Sequence, residues 1–174
     1  MTFPHAIIEM LKSPEKKIIT IEDQVEYTIE GIPQIQTNET IGLTYAKGIE
    51  QILRHDPDII MVGEIRDEKA AKMAVVAANT GHLVLSTIHA SKACTCISRM
   101  VELGVNINHL YENLLCISNQ RMMINKANKE KTVLYEIMDK NEIDYYRKYN
   151  TNSKNFLSVE EQILKGVNDG IFEV

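Results

Sequence analysis

Asp56-Pro57-Asp58-Ile59-Ile60-Met61-Val62-Gly63-Glu64-Ile65-Arg66-Asp67 is the stretch that decides the fold. Ile59 to Val62 is an unbroken apolar run, followed by a small residue, Gly63, and an acid, Glu64. A run this short and this apolar reads as a strand buried on both faces, as in a parallel sheet. Its C-terminal end is where open α/β sheets bind ligands. A carboxylate there suits Mg²⁺ or a water near a nucleotide phosphate. A core strand ending on a solvated acid explains Glu64 equally well, and the stretch alone does not choose between the two.

Alternation of element types continues outward. Residues 5–12 predict the tail of a helix, stopped at Ser13-Pro14, and Lys17 to Ile21 predicts a strand ending on Glu22-Asp23. Residues 25–29 and 32–36 alternate apolar and polar side chains around Gly31 and Pro33, which predicts a β-hairpin. Thr44 to Arg54 has helical spacing. Asp67 is placed to cap a helix that Gly81 closes. His82 to Ile88 predicts another buried strand. Ser91 is placed to cap the next helix, and a further helix is expected over 107–119. Strand, helix, strand, helix means an α/β fold: a parallel sheet flanked by helices. Composition shifts after Met123, so residues 1–125 are expected to form the core. Residues 126–174 are expected to add a strand at 132–138 and helices at 139–149 and 158–167.

The chain has 174 residues, a formal net charge of -5 and a pI of about 5.6. No broad basic surface follows, so direct nucleic-acid binding is not expected. No apolar run approaches the ~20 residues of a membrane helix, and no signal peptide is visible, which predicts a cytoplasmic protein. Cys94, Cys96 and Cys116 form neither a disulfide framework nor a zinc ribbon.

Three polar clusters fall at the ends of the predicted strands: Glu22-Asp23; Glu64 with Arg66 and Asp67; and Ser86-Thr87 with His89. On one rim they would suit phosphoryl transfer. Taken singly, each reads as readily as a solvated strand end or a loop histidine. The loop G-x-x-x-x-G-K-[ST] that cradles phosphates is absent from these residues.

Together the motifs are identified with a family. Ile19-Thr20-Ile21-Glu22-Asp23-Gln24-Val25-Glu26-Tyr27 resembles the Asp box of the secretion ATPases that drive type II secretion, type IV pilus assembly and DNA-uptake pseudopili. Ile52 through Asp67 resembles their Walker B segment, and Thr80 through Ala90 their His box. Asn119-Gln120-Arg121 resembles the pair that follows. The resemblance covers about residues 6–125 and implies a RecA-like P-loop NTPase core. In that family Gly63-Glu64 stands where other P-loop ATPases have Asp-Glu.

The resemblance implies that Glu22 orients the lytic water, with Asp23 supporting it. Glu64 is the Walker B acid at the Mg²⁺ shell, through water. His82 and His89 belong to the His box, with His89 nearer the γ-phosphate. Thr87 and Arg66 join the nucleotide site, and Arg66 and Arg99 link it to a neighbouring subunit. ATP and Mg²⁺ are the implied ligands. A homo-hexamer working on a membrane platform protein, at the inner face of the cytoplasmic membrane, is the implied assembly. The family's phosphate loop and the strand before it lie upstream of the first helix, so the chain reads as a C-terminal piece of a longer ATPase, inactive alone. Gln24 replaces the usual proline of the Asp box. The paired-cysteine zinc motif is absent, so no zinc is expected, and the short asparagine-rich tail favours the competence type. A retraction motor and a non-catalytic interaction module are the alternatives.

Overall fold

A computed structural model describes residues 3–172, which fall into two compact units. The first comprises residues up to His89 together with Met100–His109. The second comprises Ala90–Arg99 and the run from Leu110. The second unit therefore begins well before the change in composition at Met123.

The first unit is built on four parallel strands: β1 (Ile18–Glu22), β2 (Gln34–Gln36), β3 (Ile59–Val62) and β4 (Leu83–Ser86), in the order β2-β1-β3-β4. All residues of β1 and β3 are buried, as the apolar run demands. Helix α1 (Phe3–Leu11) covers one face. Its Ile8 and Leu11 pack with Ile18, Ile59 and Met61 of the sheet and with Leu83 and Leu85. Helices α2 (Tyr45–Leu53) and α3 (Glu68–Asn79) pack against each other and against the sheet. Gly48 lets α2 approach β1 so closely that a Cβ there would overlap Ile21 Cδ1. The Asp67 carboxylate caps α3 as its position predicts, accepting from Ala70 N at 2.9 Å.

The hairpin expected over residues 25–36 is absent. Residues 25–29 form no strand, and β2 pairs with β1 in parallel. The side-chain amides of two glutamines take over the backbone bonds that a ladder would have made. Gln34 accepts from Ile29 N at 2.7 Å and donates to Tyr27 O at 3.0 Å, and Gln36 accepts from Val25 N at 3.3 Å.

In the second unit β5 (Ile117–Ile124) and β6 (Lys131–Met138) form an antiparallel pair. The helix expected over 107–119 stops early, as α5 (Ile107–Asn113), and Asn119-Gln120-Arg121 lie on β5. Helices α6 (Lys140–Tyr149) and α7 (Val159–Asn168) fall where the spacing predicts, α7 with a full capping box from Ser158 and Glu161. Helix α4 (Ala93–Glu102) is not capped by Ser91 as expected. Its Ala93 N–H donates to Glu136 Oε1, while Glu136 Oε2 accepts from Val159 N at 3.0 Å. One carboxylate, only 2 % exposed, thus closes the first turns of both α4 and α7.

Candidate functional site

The C-terminal ends of β1, β3 and β4 form one rim, as parallel pairing in register requires. Backbone and hydroxyl bonds lock it. Gly63 N donates to Ile21 O at 2.8 Å, Thr87 Oγ1 donates to Gly63 O at 2.6 Å, and Ile65 N donates to Thr87 O at 2.9 Å. Gly63 is required by space: a Cβ there would meet Tyr45 Oη at 3.2 Å and Glu22 Cα and Ile21 O at 3.3 Å.

Two polar clusters occupy the rim. In the first, Arg66 ties two acids: Nη2 to Glu64 Oε1, and Nη1 to Asp23 Oδ2 at 3.3 Å. Glu64 is largely shielded, and its second oxygen lies 3.6 Å from Nε2 of the exposed His89. The hydrogen bond that Arg66 donates to Glu64 holds the guanidinium above its usual range. Tyr45, buried beneath, has its phenol pushed up to about 12, first by burial and then by the charges of Asp23 and Glu64.

Glu22 forms the second cluster. Period 2 along β1 puts Thr20 and Glu22 on the face that α1 covers, with Ile18. Glu22 is 4 % exposed. Its Oε1 accepts from Thr20 Oγ1 at 2.7 Å and from Gln34 Nε2 at 2.9 Å, and its Oε2 lies 3.1 Å from His5 Nε2. The contact with His5 brings the first turn of α1 to this rim.

Glu64, Arg66, Asp23 and His89 are therefore brought together, with Thr87 fastening the strand ends beneath them. Glu22 stands in a network of its own. His82 is not at this rim. It precedes β4, about 13 Å of strand from the other end, and its Nδ1 lies 3.0 Å from Ala77 O at the close of α3. Arg99 lies on α4 in the second unit. His5, Gln34 and Tyr45 were not anticipated from sequence. The i, i+2 spacing of Thr20 and Glu22 was a usable signal, because two polar residues in a buried strand need partners from a covering element. Among the described residues no group of three or more His, Cys, Asp or Glu side chains could cage a metal.

Residues 2–165 match the model of the family described as "Type II/IV secretion system protein". The type II secretion system protein E of Klebsiella pneumoniae is 46% identical over 119 residues, covering 68% of this chain and 24% of that protein. The type IV pilus assembly ATPase PilB of Thermus thermophilus is 47% identical over 118 residues, covering 68% and 13%. Among solved structures, the pilus retraction motor PilT with bound ADP superimposes with a TM-score of 0.75 at 26% identity, over 98% of this chain and 54% of that one. The chain spans about a quarter of the length of the first of these relatives.

Proposed function

The chain belongs to the type II/IV secretion system protein family, and from that premise we propose that it carries the hydrolytic rim of a motor ATPase. The motor would convert ATP hydrolysis into movement for type II secretion, pilus assembly or DNA uptake through a competence pseudopilus. The observation that carries the reading is the juxtaposition of Glu64, Arg66, Asp23 and His89 at the ends of parallel strands, with Glu22 and the first turn of α1 at the same rim.

In this reading Glu22 orients the attacking water and takes its proton, and Asp23 supports that end of β1. Glu64 holds the water shell of Mg²⁺, which when bound neutralises phosphate charge. Its Oε2, which faces the exposed His89 rather than Arg66, is the oxygen that would meet that shell. His89, exposed at the rim, faces the γ-phosphate. Arg66 is held by two carboxylates and is free to turn outward when a phosphate competes for it. Arg99 answers to a neighbouring subunit of a homo-hexamer. The assembly would work on a platform protein at the inner face of the cytoplasmic membrane. No described helix is long and apolar enough to cross a membrane.

The similarity to PilT supports pilus retraction as a second role for the same chemistry. A non-catalytic interaction module is the alternative reading. Turnover separates the readings. The 174-residue chain alone is expected to hydrolyse no ATP, because the β- and γ-phosphates lack their main backbone donors. Fused behind the segment that precedes the matched stretch in the Klebsiella relative, it is expected to turn over Mg·ATP. A fusion that binds Mg·ATP and hydrolyses none of it would leave only the interaction module.

A further inference from the structure

We propose that His5 is a positioning residue for Glu22, locking the carboxylate so that a single acceptor position remains for the attacking water. The inference rests on the reading of Glu22 as the residue that orients that water.

The argument is a count of lone pairs. A carboxylate offers about four acceptor sites, two on each oxygen. Oε1 spends both of its sites, on Thr20 Oγ1 and Gln34 Nε2. Oε2 spends one, on His5 Nε2 at 3.1 Å. One site on Oε2 is left.

The three donors come from three elements, β1, β2 and α1, so the carboxylate is fixed in direction as well as in place. Thr20 and Gln34 both hold Oε1. Without His5, Oε2 would be free to swing, and the remaining lone pair would have no set direction. His5 and Glu22 are 5 % and 4 % exposed. Bulk water therefore does not compete for either partner, and the bond between them keeps its strength. An ionised carboxylate oxygen only accepts, so in this contact Nε2 carries the proton that it donates to Oε2.

His5 sits on the helix and Glu22 on the strand, so the bond also sets the distance between the first turn of α1 and β1. A group that acts only through Glu22 should change the rate of the chemical step and leave nucleotide binding alone. Misplacement of a reacting group by about 1 Å costs on the order of a hundredfold.

The first test uses the 174-residue chain labelled with ¹⁵N-histidine and ¹³C-glutamate. Long-range ¹H–¹⁵N spectra are expected to show a proton on His5 Nε2, and side-chain couplings a single rotamer for Glu22. His5→Gln, whose amide nitrogen can take the place of Nε2, should keep that single rotamer, and His5→Leu should average it. An unprotonated Nε2, or a Glu22 equally fixed in His5→Leu, would overturn the proposal. In the phosphate-loop fusion, His5→Leu should lower kcat about tenfold to a hundredfold with KM for ATP unchanged, and His5→Gln should restore most of it. The double variant His5→Leu, Glu22→Gln should be no slower than Glu22→Gln alone. Full kcat in His5→Leu beside a dead Glu22→Gln would refute the role of His5 only. An active Glu22→Gln would refute the reading of Glu22 itself.

Discussion

Replacing Glu136 by glutamine should loosen two helices at once. Glu136 reaches from β6 to the first N–H of α4 and the first N–H of α7, Ala93 and Val159. Glutamine retains one oxygen and sets an NH₂ group against the other backbone donor. One buried donor then lacks a partner, at a cost of about 1–3 kcal/mol. The negative charge at two helix N-termini is lost as well, at about 0.3–1 kcal/mol each. The sum is about 2–5 kcal/mol, which for a chain of this size lowers Tm by about 5–15 °C. Glu160, which pairs with Lys92 at 3.0 Å but is exposed, provides the contrast. Glu160→Gln should cost less than about 1 kcal/mol.

Urea titration followed by circular dichroism gives the magnitudes. Hydrogen exchange gives the location, which matters because two compact units need not unfold together. Amides in the first turns of α4 and α7 should lose protection, while those of β1 and β3 keep it. A Glu136→Gln chain within about 0.5 kcal/mol of the parent, with protection unchanged at Ala93 and Val159, would refute the reasoning.

Two further outcomes follow from the rim. Of the seven tyrosines, Tyr45 should ionise near the top of the alkaline range, at about 12, and its signal should vanish in Tyr45→Phe when absorbance at 295 nm is followed with pH. Its pKa is raised on folding, so the neutral phenol stabilises the fold below the unfolded value of about 10. That contribution falls away as pH rises from 10 through 12, and alkaline denaturation of Tyr45→Phe should show less of this fall. Gly63→Ala should cost about 1–3 kcal/mol in urea titration, because the new methyl meets the β1 backbone at 3.3 Å and backbone cannot step aside as a side-chain tip can.

What was legible in the sequence was local. The apolar run Ile59–Val62, the Asp67 cap and the helical spacing of 44–54, 139–149 and 158–167 each depend on neighbours a few residues apart, and each appears in the structure. The failures were nonlocal. Residues 25–36 alternate like a hairpin, but Gln34 and Gln36 satisfy their backbone and leave β2 to pair with β1. The sequence places Ser91 to cap α4, yet the acceptor for Ala93 N–H comes from Glu136, 43 residues after Ala93. At the rim, Glu64, Arg66 and Asp23 meet as the parallel-strand reading implies. The spacing of Thr20 and Glu22 in a buried strand signals that Glu22 needs partners, but not which ones: His5 and Gln34 come from a helix and an edge strand that only the packed sheet brings to it.

The central claim is that Glu22 and Glu64 divide the chemistry of ATP hydrolysis between them. Its most direct test is Glu22→Gln in the phosphate-loop fusion, with Mg·ATP affinity and single-turnover hydrolysis measured on the same preparation. The account predicts affinity within about twofold of the parent and a chemical step slower by at least about a hundredfold. A Glu22→Gln fusion that hydrolyses bound ATP at the parental rate would contradict it.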